Sequence, residues 1–236
     1  MSDRHEPPKS SAGDAAHMMA KAGISSIPGI GSAASELFNF LVAPTLEKRR
    51  QLWMEEVAES LRQIEDRREL RIEDLPHNEA FVDATMSATR AALHTSAEEK
   101  RRALRNAVIN SARPGAPDAS TQQVFISLVD QLTEWHLRLL GFFRDPKAWF
   151  ARAGRPAPEL YMGSPVNVAE EAYTELATRP DFFNQCWRDL SQRGLTNTPE
   201  LRVMMTGSGT MAKRTSDLGD AFLRFIEDPK TLEDPS

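Results

Sequence analysis

From Pro44 onward the apolar residues recur at helical spacing, and the period holds for about a hundred residues. In TLEKRRQLWMEEVAESLRQIEDRREL, Leu46, Trp53, Val57, Leu61 and Ile64 fall on one stripe, with Glu47, Lys48, Arg49, Glu55, Glu56 and Glu59 around it. This pattern predicts an amphipathic helix of about seven turns. After a break at Leu75-Pro76-His77, a second helix places Phe81, Val82, Met86, Thr89 and Leu93 on its stripe. Ser96 followed by Glu99 reads as a capping box that opens a third helix burying Leu104, Val108 and Ala112, which Pro114, Gly115 and Pro117 close. Asp118 and Ser120 offer caps for a helix with Val124, Phe125, Leu128, Val129 and Leu132. Thr133 caps the next one, which buries Trp135, Leu139 and Phe142 and ends at Asp145-Pro146. No stretch of the first 150 residues alternates with period two, so an all-helical bundle is predicted there.

The pattern changes at AGRPAPELYMGSP, residues 153–165, where three prolines and two glycines predict a linker. Beyond it, Pro165 starts a helix through about Thr178. Asp181 caps another that holds Phe183, Trp187 and Leu190, and Gly194 stops it. Leu201 to Gly207 has the apolar length of a strand, MAKRTSD returns antiparallel to it, and Leu218, Phe222, Leu223, Phe225 and Ile226 form a closing helix. Helix, helix, hairpin, helix is the order of a winged-helix domain, with Gly207 and Gly209 supplying the positive φ of a wing turn. A phosphate loop would need its glycines between a strand and a helix start, with Lys followed by Ser or Thr in register. GSGTMAKRT lacks that pattern. The fold class predicted is therefore mainly α: a disordered tail over 1–20, a helical bundle over 21–152, the linker, a winged-helix-like α+β domain over 166–228 and a tail over 229–236.

One segment resists the helical scheme. AGISSIPGIGSAASELFNFLVAP has no charge from Ala22 to Ser35, but Pro28 and Glu36 interrupt it short of the roughly 20 apolar residues a membrane span needs. Its small residues suit close backbone packing. Leu37, Phe38, Phe40 and Leu41 then give an apolar face for the bundle to cover in a resting state, and for a partner or a bilayer surface when released.

Composition narrows the function more than it identifies it. The 236 residues carry a formal charge of −5, so no general field favours nucleic acid. A single cysteine, Cys186, forms no internal disulfide and suits a reducing cytoplasm; no histidine stands near it in sequence, which predicts a buried structural thiol. The five histidines contain no pair at helical zinc spacing, and no serine sits in a G-x-S-x-G elbow. No catalytic residue, metal or cofactor is therefore expected. The charge runs EKRR and EEKRRALR mix both signs at one-turn spacing and read as solvated helix faces.

The ending FFNQCWRDLSQRGLTNTPE with TSDLGDAFLRFI resembles the end of the bacterial Abi-alpha family, which is linked to abortive infection. EKRRALRNAVINSA and FISLVDQLTEWHLRLLGFF are similar in plan to its central helices. The resemblance spans residues 36–226 and implies a phage-response setting without catalytic residues. Three readings follow. The first is a non-enzymatic cytoplasmic protein acting through regulated association with a protein partner or itself. The second is a winged-helix DNA regulator, with Asn184, Gln185, Arg188 and Gln192 in the major groove and Lys213 and Arg214 on phosphate. Against it, residues 160–236 hold eight basic side chains to twelve acidic ones. The third is a membrane-active effector using residues 22–44.

Overall fold

The computed structural model describes residues 30–67 and 70–229, with the side chains of 30–35 and Phe38 outside the described set. The tail expected over 1–20, residues 21–29 and most of the tail over 229–236 lie outside it too. The described chain is mainly helical. The contacts divide the chain into two units, 1–52 and 53–236.

Helix α1 runs Ile30–Asp66 and passes through Pro44, which the sequence pattern places at a helix start. Proline removes one backbone donor, so the carbonyl four residues earlier loses its partner; that residue, Phe40, is exposed and water can take the bond. Trp53, Val57 and Ile64 are buried as the stripe requires, whereas Leu46 is exposed. A 3-10 helix, Ile72–His77, leads to α2, Glu79–His94, which Asn78 caps by accepting from the Phe81 N–H at 3.1 Å. Its stripe is not the one predicted. Ala84, Ala88, Ala91 and Ala92 are buried beside Phe81, while Met86 is 68% exposed. Alanine faces let helix backbones approach closely, and a reading weighted toward large side chains rotates the helix the wrong way.

Helix α3, Glu98–Ala112, starts from Ala97 without a side-chain cap, so the box expected of Ser96 and Glu99 does not form. Glu99 is taken instead by Arg138, whose Nε donates to both carboxylate oxygens at 2.8 Å. Helix α4, Ala119–Gln131, has Asp118 as its cap. Helix α5, Glu134–Arg144, has a box in which Thr133 N–H donates to His136 Nδ1 at 3.1 Å. Asp145-Pro146 closes α5 and at once opens α6, Pro146–Arg152, where Asp145 accepts from the Ala148 N–H.

The hairpin expected over 201–217 does not form. Strand β1, Met162–Gly163, pairs antiparallel with β2, Met205–Thr206, in the register Met162↔Thr206 and Gly163↔Met205. Between them lie α7, Pro165–Ala172, then α8, Thr174–Ala177, and α9, Pro180–Gln192. Gly207–Thr210 is a single helical turn, α10, capped by the Thr206 hydroxyl, which accepts from the Gly209 N–H. The chain therefore does not reverse directly. Residues 214–216 pair back to 194–197 instead, through Asn197 N–H to Arg214 O, Ser216 N–H to Leu195 O and a bridge Thr196↔Thr215. Gly207 and Gly209 do not take the positive φ of a wing turn; Gly115, Gly154 and Gly194 do. Gly207 is required by close approach, since a Cβ there would stand 1.7 Å from the Leu160 carbonyl oxygen.

Helix α11, Asp217–Ile226, closes the described chain and is capped by Ser216. The linker predicted at 153–165 does not divide the core. Phe125 of α4 packs on Phe222 and Phe225 of α11, and Phe143 of α5 packs on Trp187 of α9. One apolar cluster extends from Trp53 to Ile226. The last carbonyls of α11 are capped from α3: Asn110 Nδ2 donates to Phe225 O and Glu227 O at 2.9 Å, and Asn106 Nδ2 to Ile226 O at 3.0 Å.

Candidate interaction surfaces

The predicted contact residues lie on α1 and on or near α9, and the structure exposes a third apolar surface that the sequence did not indicate. On α1, Leu37, Phe40 and Leu41 recur at helical spacing. Leu37 is half-buried, Phe40 is exposed and Leu41 is 61% exposed; Val42 and, on the opposite side of the helix, Leu46 are exposed too. Phe38 belongs to the side chains outside the described set. No described helix is long and apolar enough to cross a membrane.

Helix α9 does bring Gln185, Arg188 and Gln192 to one exposed face, with half-buried Asn184 at its edge. The face is already bonded within itself. Gln185 donates to Asp189 at 2.7 Å and accepts from Arg188 at 3.0 Å, and Asn184 accepts from Arg202 at 3.3 Å. The two residues expected on phosphate are less available. Lys213 is paired with Asp220, whose carboxyl is lowered below its usual range against the raising effect of burial, by hydrogen bonds from Lys213 and Thr215. Arg214 turns inward: its guanidinium donates to Gly209 O at 2.7 Å, lies 3.0 Å from the Met205 sulfur, and its Nε is buried. Arg214 braces α10 against β2 rather than facing solvent. With no hairpin to carry them, Lys213 and Arg214 do not form a wing tip.

The third surface was not singled out from sequence as a site. Tyr161, at 93% exposure, and Met162 stand on or beside β1, and Val203 and Met204 precede β2, all exposed. The apolar length of 201–207 carries the signal, which local pattern assigns to an internal hairpin.

Cys186 is buried and its thiol is pushed up to about 11, mainly by burial and next by Asp189, the opposite of an activated nucleophile. His136 is the one buried histidine among the described residues. Its Nδ1 accepts from Thr133, and its Nε2 stands 3.3 Å from Asp189. Burial lowers its pKa, and Asp189 opposes that shift. Glu56 lies 3.6 Å from Arg105, and Glu59 accepts from Gln63 and Arg62, so these α1 carboxylates are engaged as salt-bridged surface groups. Among the described residues no group of three or more His, Cys, Asp or Glu side chains could hold a metal ion. Neither protein-family models, nor curated proteins, nor solved structures give a match to this chain.

Proposed function

We propose that the protein is a non-enzymatic interaction module acting through regulated protein association, in the phage-response setting that the Abi-alpha resemblance implies. The observation that carries the reading is the set of apolar side chains that α1 exposes. Phe40, Leu41, Val42 and Leu46, spread around the helix, stand in water, where a surface helix normally places polar residues. Burying such side chains against a partner yields about 1.5–3 kcal/mol each, which a lone chain forgoes.

The DNA reading keeps the exposed face of α9 but has lost its phosphate anchors, because Lys213 is paired with Asp220 and Arg214 is bound to Gly209 and Met205. Failure of the purified chain to retard duplex DNA at low salt closes it.

The test is expression of the intact chain in a bacterial host under phage challenge, beside Leu41→Glu and Leu46→Glu. The wild type is expected to give protection or growth arrest. Each variant is expected to lose it at unchanged melting temperature, since both positions are exposed. A wild type with neither effect sinks the setting, and variants that keep full effect sink the role of α1. Flotation of the intact chain with anionic vesicles separates a bilayer from a protein partner.

A further inference from the structure

We propose that the cleft between α1, α3 and the residues following α11 binds a small aliphatic α-amino acid. Glu56, Ser60 and Ile64 recur every four residues on α1 and so share a face of that helix. Together with Arg105, Asn106 and Ile109 of α3 they line a cavity of about 290 Å³, which Asp228 and Pro229 border just past α11. That volume is just under the usual range for ligand pockets, so the occupant is a small molecule. Ile64 and Ile109, each 2% exposed, are the most buried of these side chains and give the cleft an apolar floor.

Two polar groups of the cleft select the ligand. Asn106 is 6% exposed, and its Nδ2 donates to Ile226 O at 3.0 Å, which orients the amide and leaves Oδ1 with no partner among the described residues. Oδ1 is not among the unpartnered atoms sealed from the surface, so it opens on the cleft that Asn106 lines. A buried acceptor without a donor is costly, and a ligand N–H relieves that cost. Arg105 is the complementary case. Its Nη1 stands 3.6 Å from the Glu56 carboxylate, beyond hydrogen-bond range, so its guanidinium has no hydrogen-bond partner among the described residues. A simple anion would satisfy Arg105 and leave Asn106 Oδ1 unpaired; a simple amine would do the reverse. Because the two side chains are neighbours in sequence, the groups they call for lie close together on the ligand. An α-amino acid carries both on one carbon: its carboxylate meets the Arg105 fork, and its ammonium meets Asn106 Oδ1 with Glu56 as counter-charge. An aliphatic side chain then covers Ile64, Ile109 and Pro229.

The proposal goes beyond the association reading. None of Phe40, Leu41, Val42 or Leu46 lines the cleft, so the phage assay and the experiment below fail independently. Calorimetric titration of the intact chain with L-leucine is expected to show saturable binding. Isoamylamine, the same skeleton without the carboxylate, and isocaproate, without the ammonium, are each expected to bind at least about tenfold more weakly, since each leaves one polar group of the cleft unpaired. Arg105→Met keeps an unbranched stem and is expected to weaken L-leucine by about tenfold or more, but not isoamylamine. Glu56→Gln is expected to weaken both. Thermal melts that match the wild type, as expected for two partly exposed side chains, establish that the variants are folded. Absence of binding at millimolar L-leucine overturns the proposal. So does isoamylamine or isocaproate binding as tightly as L-leucine, which makes the cleft an amine or an anion site, and so does full L-leucine affinity in Arg105→Met.

Discussion

His136 is held at both ring nitrogens in a place that disfavours its charge. Its Nδ1 accepts from the Thr133 N–H at the start of α5, which requires that nitrogen to be unprotonated, and its Nε2 faces Asp189 of α9. Burial lowers its folded pKa first, Asp189 opposes, and Arg193 just past the end of α9 and Lys100 of α3 add to the lowering. An unfolded histidine titrates near 6.5, so between that value and the lowered one the unfolded chain binds more protons and stability rises with pH. The contribution is complete above about pH 6.5 and is lost as pH falls toward the folded pKa. His136→Gln preserves the box, because a glutamine oxygen three residues past the cap accepts the same N–H, and it does not titrate. The urea midpoint of the wild type should therefore fall more steeply between pH 7.5 and 5.5 than that of His136→Gln. Parallel curves would show that His136 is not the titrating group.

Glycines show at the scale of elements what sequence patterning reads and what it misses. Gly207 was legible as a special position and was assigned the wrong reason. The GSG run suggests a turn with positive φ, whereas Gly207 opens the helical turn α10 with its Cα pressed on the Leu160 carbonyl. That approach belongs to a chain segment 47 residues away in sequence, and no local rule encodes it. Gly219 is the same case in α11, where a Cβ would stand 2.1 Å from Leu195 O. Gly141, inside α5, meets nothing within 4 Å. Gly207→Ala and Gly219→Ala should each destabilise by about 1–3 kcal/mol through steric displacement. Gly141→Ala should stabilise by about 0.5–1 kcal/mol, because alanine loses less conformational entropy in a helix. Thermal melts of the three variants check the signs; a neutral Gly207→Ala would mean that the Leu160 segment yields. The helices were otherwise readable wherever caps and large apolar residues agree, as at Asp118 with Phe125, whereas the Ser216 cap of α11 fell in the segment read as a returning strand. They were misread where alanine forms the buried face, as on α2, and where a helix runs through proline, as at Pro44. Of the candidate contacts, the outer face of α9 was legible from period alone. The inward turn of Arg214 was not, because its partners Met205 and Gly209 depend on how the turn folds.

At the scale of the whole molecule, composition marks a linker at 153–165 and packing ignores it. Prolines and glycines there report an exposed local backbone. Whether the flanking segments share a core depends on side chains far apart in sequence, and these meet repeatedly. Phe142 packs on Tyr173 with ring centres 5.8 Å apart, Phe143 on Trp187 at 4.9 Å and Phe125 on Phe222 at 5.6 Å. The buried amides of Asn106 and Asn110 hold the carbonyl end of α11, so α3 would leave those two amides, and α11 its last carbonyls, without partners if the segments parted. Each of these bonds is worth about 0.5–1.5 kcal/mol net, and parting the segments would also expose the rings packed beneath them. Residues 53–229 should therefore unfold together. Phe222→Ala, at a fully buried ring in α11, should lower stability by about 3–5 kcal/mol and move a single transition, rather than melting the end of the chain ahead of the helices before it. A fragment ending at Arg152 should lack the sharp near-ultraviolet melt of the full chain, because Phe125 loses Phe222, Phe142 loses Tyr173 and Phe143 loses Trp187. A sharp, independent melt of that fragment, or a Phe222→Ala curve that splits into two steps, would restore the boundary that the prolines suggest.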